Sequence, residues 1–201
     1  VGNPDYLLVW GPQTKRHAIK YLKMEDRKII EFGANQFSEI KKIQIKNNLQ
    51  LFNEKKNKVL FAGSNAKINE YECLNQLNNL IIKNKVNFHV TYRPHPWAGG
   101  GVDGHKFKNK VWEKIKIDYS QIKYLKKVSK NYVPMSLPKQ MDTYHAIKEV
   151  NITVSPLSTI ILETILSGRL VLLYIPEDIN NDYINNIYKR MIHFKELFKN
   201  D

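Results

Sequence analysis

At 201 residues, 42% of them apolar, the chain can bury a real core as one large domain or as one domain plus part of another, which excludes wholesale disorder. The formal charge of +13 points toward polyanions, yet only five of the 32 basic residues are arginine (Arg16, Arg27, Arg93, Arg169, Arg190). Readers of bases and phosphates favour arginine's bidentate fork. The charge therefore reads first as a solvated lysine- and asparagine-rich surface, next as attraction to an anionic membrane or substrate, and last as nucleic-acid binding.

Strand-like and helix-like patterns alternate along the chain, the signature of an α/β sheet with crossover helices. The run 6–10 reads as a short buried strand ending at Gly11-Pro12, and Thr14 is placed to cap a helix reaching Met24. A second strand spans 28–32 and ends at Gly33; a helix follows over 37–51, and 53–58 reads as a linker. A second series then opens with a strand over 59–62, the turn Gly63-Ser64-Asn65, and a helix over 69–83 with Tyr71, Leu74, Leu77 and Ile81 on one side. Cys73 lies on that helix as a small core residue; a lone cysteine excludes an internal disulfide and a cysteine-based zinc site.

A strand over 86–92 alternates well, and 97–110 reads as a glycine-rich, mobile and exposed excursion. Further elements are a strand over 115–119, a short helix over 142–149, a strand over 151–154, and a helix over 157–167 closed by Gly168. A strand over 171–175 and an amphipathic helix over 182–198, with Tyr183, Ile187, Met191, Phe194 and Phe198 near one face, complete the series. The longest apolar runs, such as 170–175, are far too short to span a bilayer, and no secretory signal is visible. The expectation is a cytoplasmic protein, with peripheral contact to an anionic inner-membrane surface as the extension. Val1 stands where a methionine would start a complete chain, so the sequence reads as part of a longer one.

Three stretches could carry chemistry. Ser155-Pro156-Leu157-Ser158-Thr159 runs from a buried strand into a helix with Glu163 one turn deeper. Strand, tight turn and helix start present free backbone N–H groups and a positive dipole end to an anion. Ser158 and Thr159 add hydroxyl donors there, and Glu163 could accept from a ribose hydroxyl. The alternative is that Ser158 is only an N-cap. Arg93-Pro94-His95-Pro96 also lies at a strand end, where two prolines stiffen the backbone. A guanidinium and an imidazole held together suit a departing phosphate, with His95 giving a hydrogen bond or a proton; the alternative is a rigid loop with a surface histidine. The third stretch, 133–138, is a proline-rich loop whose backbone could meet a flat base edge. Gly63-Ser64 could let backbone approach a phosphate, although the turn is neither a GxGxxG fingerprint nor a P-loop. His17, His89, His105, His145 and His193 show no metal-ligand spacing, so no metal site is expected.

The order of these stretches resembles the C-terminal, donor-nucleotide-binding domain of GT-B glycosyltransferases, in particular the surface-polysaccharide and capsule group of sialyl-, polysialyl- and polyol-phosphate transferases. The likeness covers residues 55–180. It implies a Rossmann-like parallel sheet with helices on both faces, preceded by the remnant of a second α/β domain. In its terms residues 1–52 are the tail and hinge of an acceptor domain, 53–181 the donor domain, and 182–201 a helix crossing back. His95 with Pro96 matches the histidine-proline motif, and Ser158 with Thr159 the serine motif, that hold the donor's phosphates. Glu163 matches the ribose-binding acid, and Pro134 and Ser136 fall in the base-contacting loop.

The resemblance implies catalytic roles for His95 and Arg93, and donor contacts from Gly63, Ser64, Pro96, Pro134, Ser136, Ser155, Ser158, Thr159 and Glu163. It also implies a CMP-, CDP- or UDP-linked donor as substrate with no intrinsic cofactor, and a glycan or lipid-linked acceptor. The acidic base motif of the sialyltransferase members has no match in this chain, so binding without transfer is the expectation for these 201 residues alone. A nucleotide-sugar 2-epimerase relative and a non-catalytic nucleotide- or polyanion-binding module are the competing readings.

Overall fold

The computed structural model describes residues 4–38, 40, 57–64, 68–96, 107, 110–123 and 140–175. The chain divides into two compact units, Val1–Ile43 and Gln44–Asp201. The expected element over 182–198 lies outside the described residues, as does that over 37–51 apart from residues 37, 38 and 40, where Phe37 ends a 3-10 turn at Asn35–Phe37.

In the first unit β1 (Leu7–Val9) and β2 (Ile29–Glu31) pair in parallel through α1 (Pro12–Leu22), with Leu7 opposite Ile29. Parallel neighbours need such a crossover. The helix starts earlier than the Thr14 cap would place it. Gly11 is its N-cap, Pro12 enters the first turn with its φ already helical, and Lys15 N–H bonds to the Gly11 carbonyl at 3.0 Å. Thr14 is thus inside the helix. Val9, Ala18, Met24 and Ile29 form a small core on the helix side. Leu8, Trp10, Ile30 and Phe32, one position out of phase along the strands, are exposed.

The second unit is a five-stranded, wholly parallel sheet in the order β5-β4-β3-β6-β7. Its strands are β3 (Asn57–Ala62), β4 (Phe88–Arg93), β5 (Ile115–Ile117), β6 (Ile152–Ser155) and β7 (Leu170–Leu173). Helices among the described residues include α2 (Glu70–Lys83), α3 (Gln140–Lys148) and α4 (Ile160–Leu166). Counted from β3 the order is 3-2-1-4-5, the doubly wound arrangement. Val59, Leu60, Phe61 and Ala62 are all buried, as a central parallel strand requires. Val59 and Phe61 join Leu74 and Ile81 of α2, whereas Leu60 and Ala62 join Ile147 of α3 and Ile160 of α4. Alternation along one strand therefore places helices on both faces, as expected.

The element ends have local causes. The Asn69 side chain accepts the Glu72 N–H at 3.0 Å and caps α2, whose first turn carries Glu70 and Glu72. On the side of α2 toward β5, Asn75 accepts from the Trp112 indole at 2.8 Å and Asn78 from the Lys114 N–H at 3.1 Å. Helix α4 closes in a Schellman motif: Arg169 N–H reaches the Thr164 carbonyl, Gly168 N–H reaches Ile165, and Gly168 sits at φ +71. The exposed excursion expected over 97–110 is corrected at Phe107. That ring is buried, stacked on Tyr92 at 5.0 Å between centroids and packed on Tyr71 and Trp112, because a large aromatic lowers its free energy in a gap beside other aromatics.

Leu74 has no exposed surface, so Leu74→Ala should cost about 2–5 kcal/mol through lost burial and a residual cavity. Gly168→Ala should cost about 1 kcal/mol for a side chain at positive φ. Urea denaturation of both variants, with unchanged slope, measures the two values.

Candidate functional site

The strand order reverses between β3 and β6, and ligands of doubly wound sheets bind beyond the carboxyl ends of the strands at that point. Three sequence-identified stretches converge on those ends. Gly63 and Ser64 follow β3, Arg93 to Pro96 close β4, and Ser155 to Thr159 lead out of β6. Backbone bonds tie the ends to their neighbours: Gly63 N–H to the Arg93 carbonyl at 2.9 Å, and Asp118 N–H to the Tyr92 carbonyl at 2.8 Å.

Arg93 is buried and engaged by the protein. Its Nη1 donates to the Asp142 carbonyl at 3.1 Å and its Nη2 to Ser120 Oγ at 3.4 Å. Nε lies 3.3 Å from Asp118 Oδ2 as an ion pair without hydrogen-bond alignment. Burial pulls the guanidinium below its ordinary value, and Asp118, Asp142 and Glu163 act to hold it up. Arg93 thus fastens the end of β4 to the residues after β5 and to the start of α3. Asp118 and Ser120 were not singled out from sequence, since neither stands in a motif.

His95 is half-buried between the buried Pro94 and the half-buried Pro96. Burial lowers its pKa, so the imidazole is neutral at pH 7 and can donate a hydrogen bond without carrying charge. Ser155 is fully buried, and its hydroxyl donates to the Pro156 carbonyl at 2.8 Å. That engages the hydroxyl proton within the turn. Helix α4 starts at Ile160, three residues later than expected, with Thr159 at the cap position and no side-chain capping bond. Among the described residues neither the Ser158 nor the Thr159 hydroxyl makes a hydrogen bond, so the capping alternative for Ser158 has no bond to support it. Ser158 is half-buried and Thr159 exposed.

Glu163 is half-buried on α4, and burial pushes its carboxyl up to about 7 while Arg93 pulls it down. The coupling brings the β4 and β6 stretches into one electrostatic neighbourhood. Pro134 and Ser136 lie outside the described residues. Sequence reasoning also missed Glu70, which is fully buried and hydrogen-bonded to the Ser64 N–H and the Tyr92 hydroxyl. Its place in the first turn of α2 was legible, but the partner 22 positions away was not.

A cavity of about 580 Å³ opens elsewhere, bordered by Lys58, His89, Lys114 and Glu149 and by none of the site residues above. Among the described residues no cluster of three His, Cys, Asp or Glu side chains could hold a metal, and no helix is long and apolar enough to cross a membrane.

The geometry defines an α/β domain of Rossmann-like type. No protein-family model matches the chain, and no curated protein does. Among solved structures it is similar to a variant of the wall teichoic acid polymerase TagF, at 14% identity and a TM-score of 0.48, covering 90% of this chain and 42% of that one. It is also similar to the beta Kdo 2,4 transferase KpsC of Thermosulfurimonas dismutans, at 8% identity and a TM-score of 0.36, covering 80% of this chain and 49% of that one. The chain spans less than half the length of either neighbour. Similarity at this level does not extend to either protein's activity.

The Glu163 shift makes a pH prediction. Its folded pKa of about 7 stands above the ordinary 4.5, so between those values the folded state holds a proton that the unfolded state has released. Stability from this group is complete below about 4.5 and is lost as pH rises through 7. His95, lowered by burial, acts in the opposite sense below its ordinary 6.5. Glu163→Gln should therefore flatten the loss between pH 5 and 7, on the order of 1–3 kcal/mol at ~1.4 kcal/mol per unit, in denaturation curves compared with wild type.

Proposed function

We propose that the larger unit binds the donor nucleotide of a GT-B-type transferase, which moves a nucleotide-activated sugar or polyol phosphate onto a surface glycan. The observation that carries the reading is the convergence of His95 and Ser158–Thr159 on the switch point of the sheet, with Glu163 electrostatically coupled to the β4 end through Arg93. Ser158 and Thr159 offer hydroxyls without protein partners among the described residues, and the start of α4 follows directly. A phosphate there would find both hydroxyls available as donors. Neutral His95 would donate to the phosphate oxygen that gathers charge as the donor bond breaks, an interaction that strengthens in the transition state. Glu163 would accept from the ribose. Arg93, surrounded by protein partners, would position β4 and supply a fixed positive field.

A thermal-shift panel of CMP, CDP, UMP, UDP, GDP and inorganic polyanions tests this. A ligand that binds only the folded state raises the melting temperature by mass action. The expected outcome is a shift with cytidine or uridine phosphates exceeding that with GDP or polyanions. A flat panel removes the reading, and equal shifts with every polyanion favour a non-catalytic polyanion-binding module. Replacing Ser158 and Thr159 together by alanine should weaken nucleotide binding by about 1–3 kcal/mol, two hydrogen bonds to charged oxygens. The melting temperature should fall little, because neither hydroxyl caps α4.

A further inference from the structure

The first turn of a doubly wound sheet, between its central strand and the next helix, is where the fold offers an anion free N–H groups and a positive helix end. Here that turn begins with Gly63-Ser64, among the described residues, and the helix is α2. The place is already filled. Glu70, with no exposed surface, accepts the Ser64 N–H through Oε1 at 2.8 Å and the Tyr92 hydroxyl through Oε2. A Cβ on Gly63 would lie 2.6 Å from Oε2, 3.0 Å from Oε1 and 3.0 Å from the His95 backbone nitrogen. The carboxylate therefore lies against the turn itself, in the space a ligand oxygen would need.

The geometry treats the carboxyl as an acceptor. Both partners donate, which suits an acceptor-only carboxylate. Burial raises the Tyr92 pKa, keeping its hydroxyl protonated as a donor; burial also raises the Glu70 carboxyl above its ordinary value, and the hydrogen bonds from Tyr92 and Ser64 act to lower it. Among the described residues no cation pairs with Glu70, so those bonds and the N-terminal end of α2 hold the charge.

We infer that Glu70 is a built-in substitute for a bound anion: it occupies the phosphate cradle of the β3 turn and so determines where a ligand's phosphates can bind. A second anion at Gly63-Ser64 would meet a buried charge and find the Ser64 N–H taken. Phosphates are confined to the His95 and Ser158–Thr159 side of the crevice. Gly63 and Ser64 become scaffold rather than ligand contacts, and Gly63 is glycine because the carboxylate stands where its Cβ would be. Glu70 is a specificity-determining positioning residue, acting through Ser64, Tyr92 and the backbone at His95. The inference deepens the nucleotide reading and rests on it only for the identity of the phosphate's carrier.

Chemical rescue tests it on the full chain without any nucleotide. Glu70→Ala opens a cradle with the Ser64 N–H and the Tyr92 hydroxyl left as donors. Formate or inorganic phosphate should raise the melting temperature of that variant well beyond the shift given to wild type, saturating as a single site, while chloride at equal ionic strength should not. Glu70→Gln, which refills the cradle with a neutral amide, should melt below wild type and gain nothing specific from formate. Equal responses of wild type and Glu70→Ala overturn the inference. Should the alanine variant fail to fold, amide NMR on wild type decides: the Ser64 N–H signal should stay fixed through a titration with inorganic phosphate, and a saturating shift there overturns the idea. A flat nucleotide panel would remove the proposed donor and leave this result standing, and a moving Ser64 signal would do the reverse.

Discussion

A strand buried on both faces can meet solvent only at its ends, and β3 imposes that condition on the larger unit. Its residues alternate between the α2 layer and the layer of α3 and α4, so no side chain of 59–62 is available for chemistry. Polar groups must therefore gather where β3 stops. The reversal of strand order beside it leaves room between the turns of β4 and β6, which would otherwise pack on each other. The place of the candidate site is thus suggested by burial and connectivity before any functional residue is considered.

The end of β4 shows how the two layers are locked at that point. Tyr92 and Arg93 are consecutive and point to opposite faces. Tyr92 reaches Glu70 on the α2 side; Arg93 reaches Asp118, Ser120 and the start of α3 on the other. Each face thus carries one buried charge held by hydrogen bonds or an ion pair. Charges in a low dielectric cost several kcal/mol each when unpaired, so both arrangements resist displacement and the backbone from Pro94 to Pro96 inherits fixed starting coordinates. The rigidity that the two prolines suggested from sequence has a second source in these buried anchors.

Patterns local in sequence were legible, and contacts across the fold were not. The 3.6-residue period of α2 and the glycine closing α4 could each be read within one turn of chain. Thr14 misled because proline and glycine just before it set the helix start through backbone geometry rather than through a side-chain cap. Phe107 was hidden by its glycine-rich neighbours, whose composition says surface while one aromatic ring says core. For the candidate site, the strand-end motifs all fall at the carboxyl edge of one sheet, as their positions after predicted strands implied. Ser155 and Ser158, three positions apart, could not be told apart by residue type; only the fold shows one hydroxyl closed into its own turn and the other without such a bond.

The same contrast governs the electrostatics. A formal charge of +13 suggests indiscriminate attraction to anions, yet it is carried by lysines along the whole chain. Such a field speeds encounter and falls off over a Debye length; it does not choose between ligands. At the strand ends the charges are few and fixed. Arg93 is neutralised in part by Asp118, His95 is held neutral by burial, and Glu163, with its pKa at about 7, is half protonated near neutrality. In the proposed reading, partial neutralisation of Glu163 would lessen repulsion of an incoming phosphate, while its remaining acceptor capacity would suit a hydroxyl. In that reading discrimination would depend on directed donors and acceptors at fixed positions, whose strength changes with geometry over tenths of an ångström, rather than on net charge, which any polyanion would satisfy.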